Sequence, residues 1–429
     1  MNDERKRAER KVGWARLWTR AKQVLTTDPS ASDDDDAMVD EEAAKVLAAQ
    51  AGRLKGGLAK VAQLAAYAPR GGSAILGSLW DSAPAVPSGS IARVIEEDLG
   101  KSPQSLFATW ESMPLASASL GQVHAATLPD GTAVVVKVQY PGVADALRAD
   151  LDEDDFVRKL AGAEVGRSLD DDALRALGDA VRGELDYRAE AAAMTKFADA
   201  WAGHRVLRFP RPYAEYSSAR VLTMTRAKGQ SVVSTAGAPP DIRKAAALCI
   251  FEAAWGSSLA HGLLNADPNP GNFLVDTQPD GSVHVWCLDF GCAFALPEKV
   301  RDADRDIIWG LLDDDNASAA ERFRVGIARA GLLARTDSLA TTAHRDWERA
   351  LAGPLMTHGD FHWSTAYARE LAEATGRALS HGGLQLPAAL LLLWRQRLGA
   401  AAVIGMLDAK APFRRVLVDL IGSGKRALR

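Results

Sequence analysis

Lys137 stands in a run of valines, Val134-Val135-Val136-Lys137-Val138. A lysine fixed in a stiff apolar strand is a point charge well placed to neutralise phosphate oxygens. Far downstream, Asp267 is followed five positions later by Asn272, and Asp289-Phe290-Gly291 closes a second apolar run. Asn272 and Asp289 offer hard oxygens of the kind Mg²⁺ takes, and Asp267 is suited to orienting or deprotonating an acceptor. Upstream of the lysine lies a stretch of small residues, Ala116-Ser117-Ala118-Ser119-Leu120-Gly121, between Pro114 and a strand. Small side chains there let backbone amides approach phosphates. Phosphoryl transfer needs positioning and charge neutralisation more than covalent help, and these four features in this order supply both. Each alone is commonplace: a strand lysine is usually solvated, and Asp-Phe-Gly is usually a turn. The ordered set is what discriminates.

The lysine needs a carboxylate to hold it. Helix 184–198 offers Glu184 and Glu190. Six positions apart on a helix, they lie ~120° apart around the axis and ~9 Å along it. One lysine does not easily meet both, so two separate ion pairs are expected.

The elements that must position these groups are readable in outline. Gln122–Leu128 and Thr132–Val138 flank Pro129-Asp130-Gly131 and predict a hairpin that carries Lys137. Asn272–Val275 and Val283–Leu288 flank a turn-rich stretch and predict a second hairpin, which ends at Asp289. Residues 145–200 read as helices, 220–225 as a strand, and 298–429 as helices only. Residues 12–25 read as an amphipathic helix, with Trp14, Leu17, Trp18, Ala21 and Leu25 on one face and basic residues on the other. Such a helix suits a membrane surface, or packing on the rest of its own chain. Residues 28–42 are an acidic tether, because the acids repel one another.

Composition narrows the class. The chain has 429 residues, 47% hydrophobic and 25% charged, with a formal net charge of −4. That excludes a disordered chain, and no global basic field recruits nucleic acid. Cys249, Cys287 and Cys292 form no CxxC pair, which argues against a disulfide framework or a cysteine zinc site. A reducing cytoplasmic setting is expected, peripheral to the inner face of a membrane if the basic helix anchors there. The longest apolar run, Leu386–Trp394, is too short to span a bilayer.

Taken together, the motifs resemble those of the UbiB/AarF family of atypical protein-kinase-like proteins. Lys60-Val61-Ala62-Gln63 is similar to its K-x-G-Q signature, Ala116–His124 to its alanine-rich loop, and Val134–Pro141 to its nucleotide-lysine strand. Glu184-Leu185-Asp186 is similar to its E-x-D motif, His261–Asn272 to its H-G-x-x-H-A-D-P-H-P-G-N block, and Asp289-Phe290-Gly291 completes the set. The resemblance implies an α+β, two-lobed protein-kinase-like fold with an N-terminal helical extension and a mostly helical C-lobe. Mapped onto this chain, residues 1–42 hold the basic helix and acidic linker, 43–112 the extension, 113–235 the N-lobe and 236–429 the C-lobe.

The family binds adenine nucleotide, ATP or ADP, with Mg²⁺ or Mn²⁺, and is linked to ubiquinone or other prenyl-lipid metabolism. By resemblance, Asp267, Lys137 and Glu190 are catalytic, and Asn272 and Asp289 hold the metal. Ala116, Ser117, Ala118, Ser119, Lys137, Lys60, Gln63 and Glu184 line the nucleotide site. Lys60 would meet Glu184, and Lys137 would meet Glu190. Three departures stand out: Ala62 replaces a glycine, while Asn265 and Asn269 replace histidines. Loss of the Asn265 histidine is expected to remove a scaffold hydrogen bond.

An atypical kinase or ATPase is thus the leading expectation, and a catalytically weak, nucleotide-responsive scaffold is the alternative. A metal-dependent hydrolase built on His358, Asp360 and His362 is a third reading, weakened by the helix-breaking Gly359 and the absence of another ligand nearby.

Overall fold

The computed structural model describes residues 88–118, 120–145, 182–312, 316–332, 342–380 and 387–426, with positions 148, 175, 178 and 179 between them. Helix 12–25, the acidic tether, Lys60, Gln63 and Ser119 lie outside the described residues.

The first lobe is built on alternation. Ser88–Leu99 forms helix α1, and a single turn follows at Pro103–Leu106. Strands Thr109–Ala118 (β1), Gly121–Thr127 (β2) and Ala133–Gln139 (β3) come next. Helix Tyr187–Ala200 (α2) and the two-residue strand Leu207–Arg208 (β4) precede Val221–Thr225 (β5). The sheet runs β1-β2-β3-β5, antiparallel throughout. Successive side chains of a strand point to opposite faces. Val134, Val136 and Val138 therefore join Ile91, Val94 and Ile95 of α1 in one apolar cluster. Lys137 is left on the face opposite that cluster.

The turn between β2 and β3 is locally determined. Gly131 takes φ +88°, and Asp130 Oδ1 accepts from the Thr132 amide at 2.8 Å. Pro114 interrupts the β1–β2 register, which an edge strand tolerates because the ring removes only one ladder donor.

Helix α2 begins later than its composition predicts. Asp186 is its N-cap, accepting from the Arg188 amide at 2.9 Å. Glu184 thus precedes the helix, and only Glu190 stands on it. The helical spacing expected between the two glutamates does not apply, because a capping aspartate stops the helix short of Glu184.

The second lobe opens with Gln230–Ser231 (β6), a turn at Val232–Thr235 and helix Pro240–Phe251 (α3). A π-turn at Glu252–Gly256 leads into Ser257–His261 (α4), which Gly262 ends at φ +65°. Strands Leu263–Asn265 (β7), Phe273–Thr277 (β8), Val283–Cys287 (β9) and Ala293–Ala295 (β10) follow. The hairpin β8–β9 lies between β6 and the parallel β4, and β7 pairs with β10. Residues 266–272 and 288–292 are therefore neighbouring connections, each leaving the end of a paired strand.

The remaining elements are Glu298–Leu312 (α5), Asn316–Arg329 (α6), Thr342–Met356 (α7), Phe361–Trp363 (β11), Thr365–Ser380 (α8), Ala388–Leu407 (α9), Ala409–Ala411 (β12) and Phe413–Arg426 (α10). Strands β11 and β12 pair antiparallel, which corrects the expectation of helices alone after residue 298. Three-residue strands are too short to register as a period-2 pattern. The core of this lobe is aromatic: Phe251 stacks on Trp255 at 4.6 Å between centroids, and Trp363 meets Phe413 edge-on at 4.9 Å.

Candidate functional site

The site assembles on Lys137, whose side chain is only 8% exposed. Its Nζ donates to both carboxylate oxygens of Glu190, at 2.9 and 3.0 Å, and to Asp289 Oδ2 at 3.2 Å. The Tyr187 ring lies 5.1 Å from the same nitrogen, within cation–π range. Strand β3, helix α2 and the connection after β9 thus converge on one ammonium. Burial by itself would lower the Lys137 value, but the Asp289 and Glu190 carboxylates together hold it well above its ordinary range. Burial pushes Glu190 up to about 7, against the downward pull of Lys137.

Asp289 is also held from behind. Its Oδ1 accepts from the Gly291 amide at 2.9 Å. Space there is tight: a Cβ would sit 3.1 Å from Glu184 Cγ and 3.3 Å from Asp289 Oδ1, so a larger residue would press on both side chains. Phe290 between them is buried and packs 5.1 Å from Phe197 of α2, centroid to centroid. The side chain of Glu184 is buried beside the same loop and accepts from the Cys292 thiol at 2.7 Å.

Asp267 sits in the connection between β7 and β8 and is 5% exposed. Asn272 Nδ2 donates to the Asp267 carbonyl at 2.9 Å, which folds the connection back on itself. Asn265 corrects an expectation. Its Nδ2 donates to the Asp289 carbonyl at 2.7 Å, and its Oδ1 accepts from the Asp267 amide at 3.2 Å. The short amide ties the two connections together, so a scaffold role survives the histidine's replacement. Asn269 Oδ1 accepts from the Gly271 amide at 2.9 Å and caps the turn Pro270–Asn272.

The phosphate-loop candidates lie at the end of β1. Ala116, Ser117 and Ala118 pair with Val123, Gln122 and Gly121 of β2. Ala116 and Ser117 are exposed, and the Ser117 hydroxyl hydrogen-bonds the Tyr140 phenol. Gly121 is a close-approach residue: a Cβ would fall 2.1 Å from the Val138 carbonyl oxygen.

Sequence reasoning missed three neighbours of the site. Tyr187 and Cys292 adjoin recognised motifs and carry no signal of their own. Arg395 of α9 donates from Nη2 to Asp267 Oδ1 at 3.1 Å across 128 residues of chain. The hydrolase reading fails. His362 Nε2 pairs with Asp408 Oδ1 at 2.7 Å, Asp360 pairs with Lys244 at 3.2 Å, and no cluster of three metal-capable His, Cys, Asp or Glu exists among the described residues.

The cluster is chemically suited to a divalent cation bound with nucleotide. Two carboxylates face one ammonium, leaving an excess negative charge, and Asn272 adds an amide oxygen. Asn272 and Asp289 line one small cavity together with Asp267.

A model of the ABC1 atypical kinase-like domain matches residues 78–323. The chain belongs to the ABC1 family of atypical kinase-like proteins. An uncharacterized Mycobacterium tuberculosis protein, Rv0647c, is 30% identical over 333 residues, covering 74% of this chain and 64% of that one. The rat mitochondrial atypical kinase COQ8B is 28% identical over 339 residues, covering 79% of this chain and 63% of that one. The chain therefore spans somewhat under two thirds of each relative. Among solved structures, the M. tuberculosis Rv3197–erythromycin complex superposes with a TM-score of 0.63 at 27% identity, over 91% of this chain and 98% of that one. The UbiB/AarF resemblance and the α+β kinase-like fold both stand. Among the described residues, no helix is long and apolar enough to cross a membrane.

Proposed function

We propose that this ABC1-family chain binds Mg²⁺–ATP between its lobes and transfers or hydrolyses the γ-phosphoryl group, in support of ubiquinone or other prenyl-lipid metabolism. The observation that carries the reading is the convergence of Glu190 and Asp289 on Lys137.

In this reading Lys137 neutralises the α- and β-phosphates, held at its post by Glu190. The amides around Ala116, Ser117 and Ala118 cover the phosphates. Asn272 and Asp289 hold the metal ion, which supplies charge neutralisation at the phosphates. Asp267 accepts the proton of the attacking water or hydroxyl. A bond forms between that oxygen and the γ-phosphorus as the bond to the bridging oxygen breaks, and ADP leaves with the electron pair.

The test is ATP hydrolysis by the purified chain, with Asp289→Asn as the inactive variant and the exposed Arg349→Gln as control. We expect slow ADP production that is lost in the first and kept in the second. Equal rates in all three would refute the reading.

The scaffold alternative has its own support, because both candidate carboxylates are engaged by cations: Asp289 by Lys137 and Asp267 by Arg395. Thermal stabilisation by nucleotide with no hydrolysis above background would favour it.

A further inference from the structure

We propose that Arg395 is a positioning residue of the phosphoryl-transfer site, aiming the Asp267 carboxylate and supplying the positive charge that the connection around it lacks. The inference rests on the phosphoryl-transfer reading and extends it to a residue outside every recognised motif.

The first argument is charge. Between Leu263 and Val275 the chain carries no lysine or arginine. Asp267 and the phosphoryl group in flight are both anionic, so an acidic group working there needs a cation close by. Arg395 provides one, and both partners are almost fully buried, at 8% and 6% side-chain exposure. The Nη2 hydrogen bond of a planar guanidinium also fixes a carboxylate in direction, which a freely rotating ammonium does less well.

The second argument is the helix that carries it. Helix α9 is otherwise apolar, with Leu392, Leu393, Trp394, Ala400, Val403 and Ile404 all buried. Three consecutive polar residues, Arg395-Gln396-Arg397, interrupt it at its middle. Buried charges are costly unless matched. Arg397 has a structural partner: its two terminal nitrogens meet both oxygens of Asp304 at 2.6 Å, tying α9 to α5. Arg395 instead reaches the catalytic candidate. Gln396, 2% exposed, lines the cavity shared by Asp267, Asn272 and Asp289, and its Oε1 has no hydrogen-bond partner. Two adjacent polar residues of a buried helix thus reach one site, Arg395 through the Asp267 carboxylate and Gln396 through the cavity beside it. In the proposed step, the proton of the attacking hydroxyl passes to Asp267 as the oxygen–phosphorus bond forms and the bridging bond to ADP breaks. Arg395 gives up no proton and takes none.

The experiment compares wild type, Arg395→Ala, Asp267→Asn and the double variant in steady-state ATP hydrolysis, with thermal shift by Mg²⁺–ATP in parallel. Arg395→Ala should lower kcat by about 10²-fold while the nucleotide KM and the thermal shift stay within about twofold of wild type. Millimolar guanidinium should restore part of the lost kcat. In the Asp267→Asn background the same change should cost nothing further, because the arginine acts through that carboxylate. Wild-type kcat in Arg395→Ala overturns the inference. So does a parallel loss of nucleotide binding, or an additive double variant. If the alanine variant does not fold, Arg395→Lys decides. The shorter ammonium should lower kcat by about tenfold at unchanged KM, and an undiminished kcat overturns the inference. If wild type itself hydrolyses no more ATP than Asp289→Asn, the phosphoryl-transfer reading has failed and takes this one with it. An active wild type with an indifferent Arg395 removes this inference alone.

Discussion

Glu190 holds an exacting electrostatic position beside the Lys137 ammonium. It is 2% exposed, and burial raises it to about 7 from an ordinary 4.5. Between those values the folded chain holds a proton that the unfolded chain releases, so Glu190's share of stability falls as pH climbs from about 4.5 to 7. Lys137 acts in the other sense. Its raised value contributes stability that is complete below its unfolded value of 10.5 and is lost only as pH rises through the folded one. The proposed phosphoryl transfer asks for the ionised glutamate, because only that form fixes the ammonium. ATP turnover should therefore rise with pH through an acid limb near 7. Glu190→Gln should remove the limb and lower turnover by about 10- to 150-fold, as loss of a charge-assisted hydrogen bond worth about 1.5–3 kcal/mol would do. A pH–rate profile of the two proteins checks this. A wild-type rate that is flat between about pH 6 and 8 would sink the assignment.

At the scale of the element, the strand that carries the lysine depends on its neighbour's lack of a side chain. Gly121 opens β2 where it crosses the end of β3, and a methyl there would strike backbone: Val138 O at 2.1 Å and Val138 C at 2.8 Å. Gly121→Ala must push β2 away from β3, displacing the Ala118–Gly121 turn along with it. We expect a loss of about 1–3 kcal/mol in denaturant unfolding, and a weaker thermal shift by nucleotide than in wild type. Unchanged stability would show that the strands part more easily than their ladder suggests. The same element shows what was legible in sequence. The hairpin β2–β3 was readable because its turn is closed by adjacent residues, Asp130, Gly131 and Thr132. The hairpin β8–β9 was readable for a like reason. The start of α2 is not legible in sequence, because Glu184, Leu185 and Asp186 are all compatible with helix and the Asp186 cap bond decides against it. The scaffold role of Asn265 is not legible locally, because it lies in reaching a carbonyl 24 residues away. Arg395 left no trace, since nothing near it in sequence distinguishes it from Arg397, whose work is structural.

Over the whole molecule, the charged cluster lies where two cores meet. Val134, Val136 and Val138 belong to the apolar cluster of the first lobe, while Tyr187, Met194 and Phe197 of α2 belong to that of the second. Helix α2 is thus packed with the second lobe through Phe197 on Phe290, yet it holds the first lobe through Glu190 on Lys137. The polar link between cores carries one ammonium and two carboxylates, so it is underneutralised as it stands. A ligand that brings a divalent cation together with phosphates would supply positive charge to Asp289 and negative charge to Lys137. It would thereby strengthen the junction on both sides. Neither half alone does this: free nucleotide adds anions to an acidic junction, and the metal alone lacks the phosphates that complete its shell. The molecule should therefore respond to Mg²⁺ and nucleotide jointly. At about 100 times the dissociation constant, linkage stabilises the folded chain by about 2.7 kcal/mol. With an unfolding entropy of about 2.1 cal/mol/K per residue, a chain of 429 residues should gain about 3 °C in Tm. EDTA should abolish the gain, and Asp289→Asn should be blind to Mg²⁺–nucleotide. Differential scanning fluorimetry with ATP, Mg²⁺ and both together measures this directly. A shift produced in full by ATP in EDTA would place the nucleotide away from Asp289, and the junction would then be a structural ion cluster with no part in binding.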